Sequence, residues 1–114
     1  MAGEDAGVSG TKGWRTFRYA PERAPPVSVR VGLIVLANDR VIEPELARML
    51  PGDVALHATR IPMAPLTTLD ALAALGRELD EAAHRLLPAG RPDVLAFGCT
   101  SCVMAIGEAE VARR

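Results

Sequence analysis

The sequence has little of what marks several large classes of protein. Two cysteines, Cys99 and Cys102, occur in 114 residues. That is too few to staple a secreted fold, and it points to a reducing cytoplasm. No apolar run approaches the ~20 residues that a membrane-spanning helix needs, so no membrane partner is expected. The start, Met1-Ala-Gly-Glu-Asp5, is acidic and lacks the basic-then-apolar pattern of a signal peptide. Lys12 is the sole lysine and the formal net charge is −1. Without a clustered basic face, nucleic acid is not an expected partner either. Aromatic residues make up 4% of the chain, and Trp14, Phe17 and Tyr19 gather near its start. A hydrophobic content of 49% and a mean hydropathy of +0.16 suit one small domain with a real core.

Residues 1–28 read as a flexible N-terminal extension. Gly3, Gly7, Gly10 and Gly13 mix with small polar residues, Pro21, Pro25 and Pro26 follow, and no periodicity is sustained. Its three aromatics are candidates for docking on the domain or on a partner. Order begins at Val29. Val29-Arg-Val-Gly-Leu-Ile-Val-Leu36 is a β-branched, apolar run of the kind buried on both faces of a parallel sheet. Asn38-Asp39-Arg40 breaks it. Glu43-Pro44-Glu45 opens a short helix with Leu46, Met49 and Leu50 on one side, and Pro51-Gly52 stops it. A second strand is expected over 54–58, then a loop over 60–65. The spacing of Leu72, Leu75, Leu79, Ala82 and Leu86 predicts one long helix over 67–87, capped by Thr67 with Asp70 and ended by Pro88 and Gly90. Val94-Leu-Ala-Phe-Gly98 is a third strand, and a helix begins near Glu108.

The order β-α-β-α-β plus the start of a helix predicts an α/β, parallel, doubly wound (Rossmann-like) half-domain over 29–114 with right-handed crossovers. Three strands are few for such a sheet, and the expectation is a larger fold cut short.

In open α/β sheets ligands bind beyond the carboxyl ends of the strands. That edge collects Ala37-Asn38-Asp39-Arg40, Thr59-Arg60 and Gly98-Cys99-Thr100-Ser101-Cys102. A thiol, hydroxyls, an amide, a carboxyl group and a guanidinium together suit a small polar substrate bearing a carboxylate. A free cysteine is often a small buried hydrophobe. Cys99, at a strand end before a helix N-terminus, sits where backbone N–H groups favour thiolate. Thr100 and Ser101 suit helix caps, or hold an oxyanion beside the sulfur. Asp39 caps the next helix or orients substrate, and Arg60 is a solvated residue or a carboxylate partner. Cys102 is expected to face the core. The Cys-x-x-Cys spacing also admits a thioredoxin-like dithiol, although none of the rest of such a domain follows it. A structural zinc site needs four ligands, and His57 and His84 have no matching spacing. Both histidines are expected to be structural or solvated, and no metal is expected.

Val31-Gly-Leu-Ile-Val-Leu-Ala-Asn-Asp39, Ile42-Glu-Pro-Glu-Leu46, Thr59-Arg60-Ile61 and Gly98-Cys-Thr-Ser101 with Ala105-Ile-Gly107 together resemble the first half of a maleate cis-trans isomerase. The likeness extends to the relatives of that enzyme in the aspartate/glutamate racemase superfamily, the ectoine-utilisation proteins and arylmalonate decarboxylases. It covers about residues 29–114. It implies two Rossmann-like halves with the site between them, one cysteine from each, and neither metal nor organic cofactor. Cys99 matches the first cysteine. Where maleate isomerases usually carry Ser-Asn-Thr, this chain has Asn38-Asp39-Arg40, closer to the ectoine-utilisation branch. Arylmalonate decarboxylases lack a cysteine at the position of Cys99.

The resemblance implies a cofactor-independent isomerase or racemase-like enzyme with Cys99 as nucleophile or acid/base. Asn38, Asp39, Thr100, Ser101 and Arg60 would bind a small carboxylate substrate. The expected partner is a missing C-terminal half or a second copy in a homo-oligomer, and the chain alone is expected to be inactive. The alternative is a non-catalytic binding or assembly half-domain.

Overall fold

The computed structural model describes residues 17–20, 26–63, 67–87 and 90–114. Most of the expected extension over 1–28 lies outside them, as do Trp14, Pro65 and Pro88. Of its described part, Phe17 and Tyr19 are exposed.

Strand β1 (Val29–Leu36) is the centre of a three-stranded, all-parallel sheet of order β2-β1-β3. It pairs with β2 (Val54–Ile61) along its whole length, from Val29 opposite Val54 to Leu36 opposite Ile61. On its other side it pairs with β3 (Val94–Phe97), from Val31 opposite Val94 to Ile34 opposite Phe97. The fold is the expected α/β, parallel, Rossmann-like arrangement. The apolar run of β1 fits this central place because both faces are covered. Leu33, Ile34 and Val35 are each no more than 2% exposed.

Successive side chains of a strand point to opposite faces, and the two faces are filled differently. Ile34, Leu36 and Ile61 meet Leu72, Leu75, Leu79, Ala82, Leu86 and Cys102 in the main core. Those residues come from α2 (Leu69–Ala74), a 3-10 turn (Leu75–Glu78), α3 (Leu79–Leu86) and α4 (Thr100–Ile106). Helix α1 (Ile42–Met49) lies on the opposite face, where its Ile42 side chain and Val35 converge on Gly98. A final helix, α5 (Glu108–Arg113), follows Gly107, whose φ of +98° breaks it from α4.

Three local expectations change. Strand β2 continues through Arg60 to Ile61, because β1 offers ladder partners that far and even Ala37 N–H donates to the Ile61 carbonyl at 2.8 Å. The residues from Thr59 to Ile61 are therefore strand, and Arg60 is not in a loop. The expected helix over 67–87 is interrupted at Gly76, a residue about 1 kcal/mol worse than alanine inside a helix. Gly76 is buried beneath Ile106 of α4, whose atoms would lie 3.4 Å from a Cβ placed there. The cap is Thr68 and not Thr67: its Oγ1 accepts the Ala71 N–H at 3.2 Å.

Gly32 shows how closely α3 and β3 approach the sheet. A Cβ there would lie 2.9 Å from Leu86 Cδ1, 3.0 Å from Pro92 Cγ and 3.1 Å from Leu95 Cδ1. Gly32→Ala is therefore expected to overpack this face and cost about 1–3 kcal/mol in urea unfolding. Gly52→Ala meets nothing within 4 Å and should change stability by less than about 0.5 kcal/mol. Equal effects of the two substitutions would contradict the packing described.

Candidate active site

The strand order creates one place where connections part. From the end of β1 the chain turns to α1 on one face, and from the end of neighbouring β3 it turns to α4 on the other. A crevice opens at such a switch point, and it is where ligands bind in open α/β sheets. The walls are the β1–α1 loop, Ala37 to Val41, and the β3–α4 turn, Gly98 and Cys99. Gly98 N–H donates to the Ile34 carbonyl at 2.8 Å. A Cβ on Gly98 would lie 2.7 Å from Ile42 Cδ1, so the two walls touch at their base only because this residue has no side chain.

Cys99 is the N-cap of α4. Its backbone is extended (φ −150°, ψ 97°), its carbonyl accepts the Val103 N–H at 3.0 Å, and its Sγ accepts the Cys102 N–H at 3.4 Å. Sulfur thus takes the place usually held by a serine, threonine, asparagine or aspartate oxygen. Because Cys99 is the cap, Thr100 and Ser101 are not. Both are exposed in the first turn, where N–H groups have no acceptor within the helix. Cys99 is partly buried against the core, and Cys102 is fully buried within it, as expected. Burial, and then a hydrogen bond with the Cys99 side chain, push the Cys102 thiol up to about 12.

The opposite wall is built by Asp39 and Arg60. Asp39 Oδ1 accepts the N–H groups of Val41 at 2.8 Å and Ile42 at 3.0 Å, which holds the loop against the start of α1. These two donors, Ile42 foremost, and more weakly Arg60, hold the Asp39 carboxyl below its ordinary value of 3.8. Arg60 Nη1 reaches the carbonyls of Asp39 at 2.6 Å, Leu36 at 3.2 Å and Ala37 at 3.3 Å, and Nη2 pairs with Glu43. Asp39 and Arg60 each have internal partners, while Arg60 stays exposed and Asp39 is partly so. Glu43 is the partner that sequence reasoning misses. In the sequence it is legible only as a helix-opening acid, because its pairing with Arg60 depends on α1 lying over β2. Asn38 and Arg40 are exposed.

The structure brings Asn38, Cys99, Thr100 and Ser101 to one edge and engages Asp39 and Arg60 with the backbone of the β1–α1 loop and the start of α1. An apolar cavity of about 320 Å³ lies elsewhere, between α3, β3, α4 and α5, lined by Ile34, Leu79, Leu95, Phe97, Val103 and Val111 among others. His84 is exposed with Nδ1 2.7 Å from the Asp80 carbonyl, whereas His57 has a buried Nε2 without a partner among the described residues. Among the described residues no three His, Cys, Asp or Glu side chains cluster as metal ligands, and no helix is long and apolar enough to cross a membrane.

The Asp39 pKa is lowered by folding, so its contribution to stability is complete above pH 3.8 and is lost as pH falls through the depressed folded value. Asp39→Asn keeps an oxygen for the cap but cannot titrate, so its melting temperature should fall less than that of the wild type between about pH 5 and 3. Parallel curves would remove Asp39 from the acid response. With iodoacetamide at about pH 8, Cys99 should be alkylated well before Cys102. Burial holds the Cys102 thiol protonated there, and the side chain is enclosed. Peptide mass spectrometry reads the order, and Cys102 reacting first would reverse the assignment. No protein-family model, curated protein or solved structure matches this chain.

Proposed function

We propose that residues 29–114 form one half of a cofactor-independent isomerase or racemase-like enzyme of the aspartate/glutamate racemase superfamily, acting on a small carboxylate through Cys99. The observation that carries this reading is the place of the Cys99 sulfur: at the switch point, capping α4, beside two exposed hydroxyls that no cap consumes. As nucleophile, the thiolate would add to a carbon–carbon double bond, the resulting single bond would rotate, and elimination would release the other isomer. As acid/base, it would move a proton at the carbon next to a carboxylate. In both, Thr100, Ser101 and Asn38 would hold the carboxylate. Asp39 and Arg60 would position the loop that carries Asn38, and their accessible atoms would also face the carboxylate. Like the first cysteine of the resembled enzymes, Cys99 would work in the reducing cytoplasm.

Chemistry on both faces of a planar intermediate needs a second reacting group, and among the described residues this half offers Cys99 as the one thiol at its crevice. A second half or a second copy would supply the other and leave the isolated chain inactive. A non-catalytic assembly role is the second reading. The outer edge of β3 favours it: Val94 and Leu95 are 52% and 49% exposed, and Leu95 lines the apolar cavity, which suits a covering partner.

The test is co-expression with a C-terminal half from a maleate isomerase or racemase relative. Turnover of a panel of small mono- and dicarboxylates is followed by NMR. Turnover is expected for the pair and not for the chain alone, and Cys99→Ser should lower it by about 10³-fold or more. Undiminished turnover by the Cys99→Ser pair would reject Cys99 as the reacting residue. Stable association without any turnover would favour the assembly reading.

A further inference from the structure

Cys102 has no part in the proposed chemistry, yet it lies one turn of helix from Cys99, with its backbone N–H bonded to the Cys99 sulfur. The two residues are three apart in the first turn of α4, and Cys99 Sγ already points back at the Cys102 backbone, 3.4 Å from its nitrogen. Helical rise and radius place their Cα atoms about 5 Å apart, inside the roughly 4.4–6.8 Å range of disulfides. Closure therefore needs rotation about side-chain bonds and no displacement of α4. Access is one-sided: Cys99 is partly exposed and Cys102 is at 0%.

We propose that Cys99 and Cys102 form a reversible intramolecular disulfide, with a low-molecular-weight disulfide as oxidant, and that the bond switches the Cys99 site off. The Cys99 thiolate attacks one sulfur of the oxidant, forming a mixed disulfide and releasing one thiolate. Cys102 then gives its proton to solvent and attacks the Cys99 sulfur, expelling the second thiolate. Two protein thiols are oxidised and one small disulfide is reduced to two thiols. Cys102 acts as the resolving residue because it is one helical turn from Cys99 and shielded from the oxidant. Intracellular disulfides of this kind are transient and redox-sensing in most organisms. Loss of activity on closure rests on the Cys99 reading above, whereas formation of the bond does not.

The experiment treats the full chain with excess glutathione disulfide under native conditions, quenches it with acid and measures intact mass and free thiols. The wild type is expected to lose two hydrogens in mass, retain no free thiol, stay free of disulfide-linked dimers on non-reducing electrophoresis and return to the starting mass with dithiothreitol. Cys102→Ser should stop at a glutathione adduct on Cys99, and Cys99→Ser should keep Cys102 unmodified. A wild type that accumulates a stable glutathione adduct with Cys102 free, or that cross-links between chains, would overturn the proposal. These wild-type outcomes decide it even if a variant fails to fold. The readout is mass, so an inactive enzyme or an unaffected turnover would reject the catalytic role of Cys99 and leave the disulfide result standing.

Discussion

Hydrogen bonding of β1 on both sides is the constraint on which the rest depends. A strand paired left and right and covered above and below cannot leave polar groups unmatched, and Leu33–Leu36 satisfy this with aliphatic side chains and a full ladder to β2. The end of that ladder sets the shape of the crevice. Once Ala37 has donated to Ile61, the backbone has no further strand partner. The next carbonyls are instead gathered by Arg60, from the same strand that ends there.

That arrangement explains why polar residues at the crevice divide into two sorts. Arg60 and Asp39 carry opposite charges and face the same short loop. One collects its carbonyls and the other its N–H groups, and Glu43 balances the guanidinium's charge. The ion pair of Arg60 with Glu43 is partly exposed, and exposed ion pairs contribute little to stability by themselves. Its value is geometric: with Asp39 it sets the wall opposite Cys99. The uncharged groups Asn38, Thr100 and Ser101 are left toward solvent, where an incoming carboxylate would exchange water for hydroxyl, amide and backbone donors.

The two cysteines divide in a comparable way. One turn of helix puts one thiol at the crevice and the other in the core beneath it, so a single segment holds an accessible sulfur and an enclosed one. The accessible sulfur is thereby tied to a neighbour that packs α4 into the core with Ile34 and Ile61. Gly98 makes this possible on the other side of the turn, by allowing α1 to approach without a side chain between them.

The sequence by itself determined the alternation of strand and helix, the parallel class and the buried β1. These arise from apolar runs and periodicities that are local along the chain. It also placed Cys102 inside and Cys99 at a strand end, because the strand-to-helix boundary is legible in Phe97-Gly98-Cys99-Thr100. Only the tertiary structure decided the strand order, the extension of β2 to Ile61 and the break at Gly76, since each depends on a neighbour distant in sequence: β1 for the strand, Ile106 for the glycine. For the same reason it decided which internal partners the polar residues take. Arg60 reads as a solvated or substrate-binding group until β2 is paired and α1 is laid across it. Its guanidinium then meets three carbonyls and Glu43, partners that no local pattern announces.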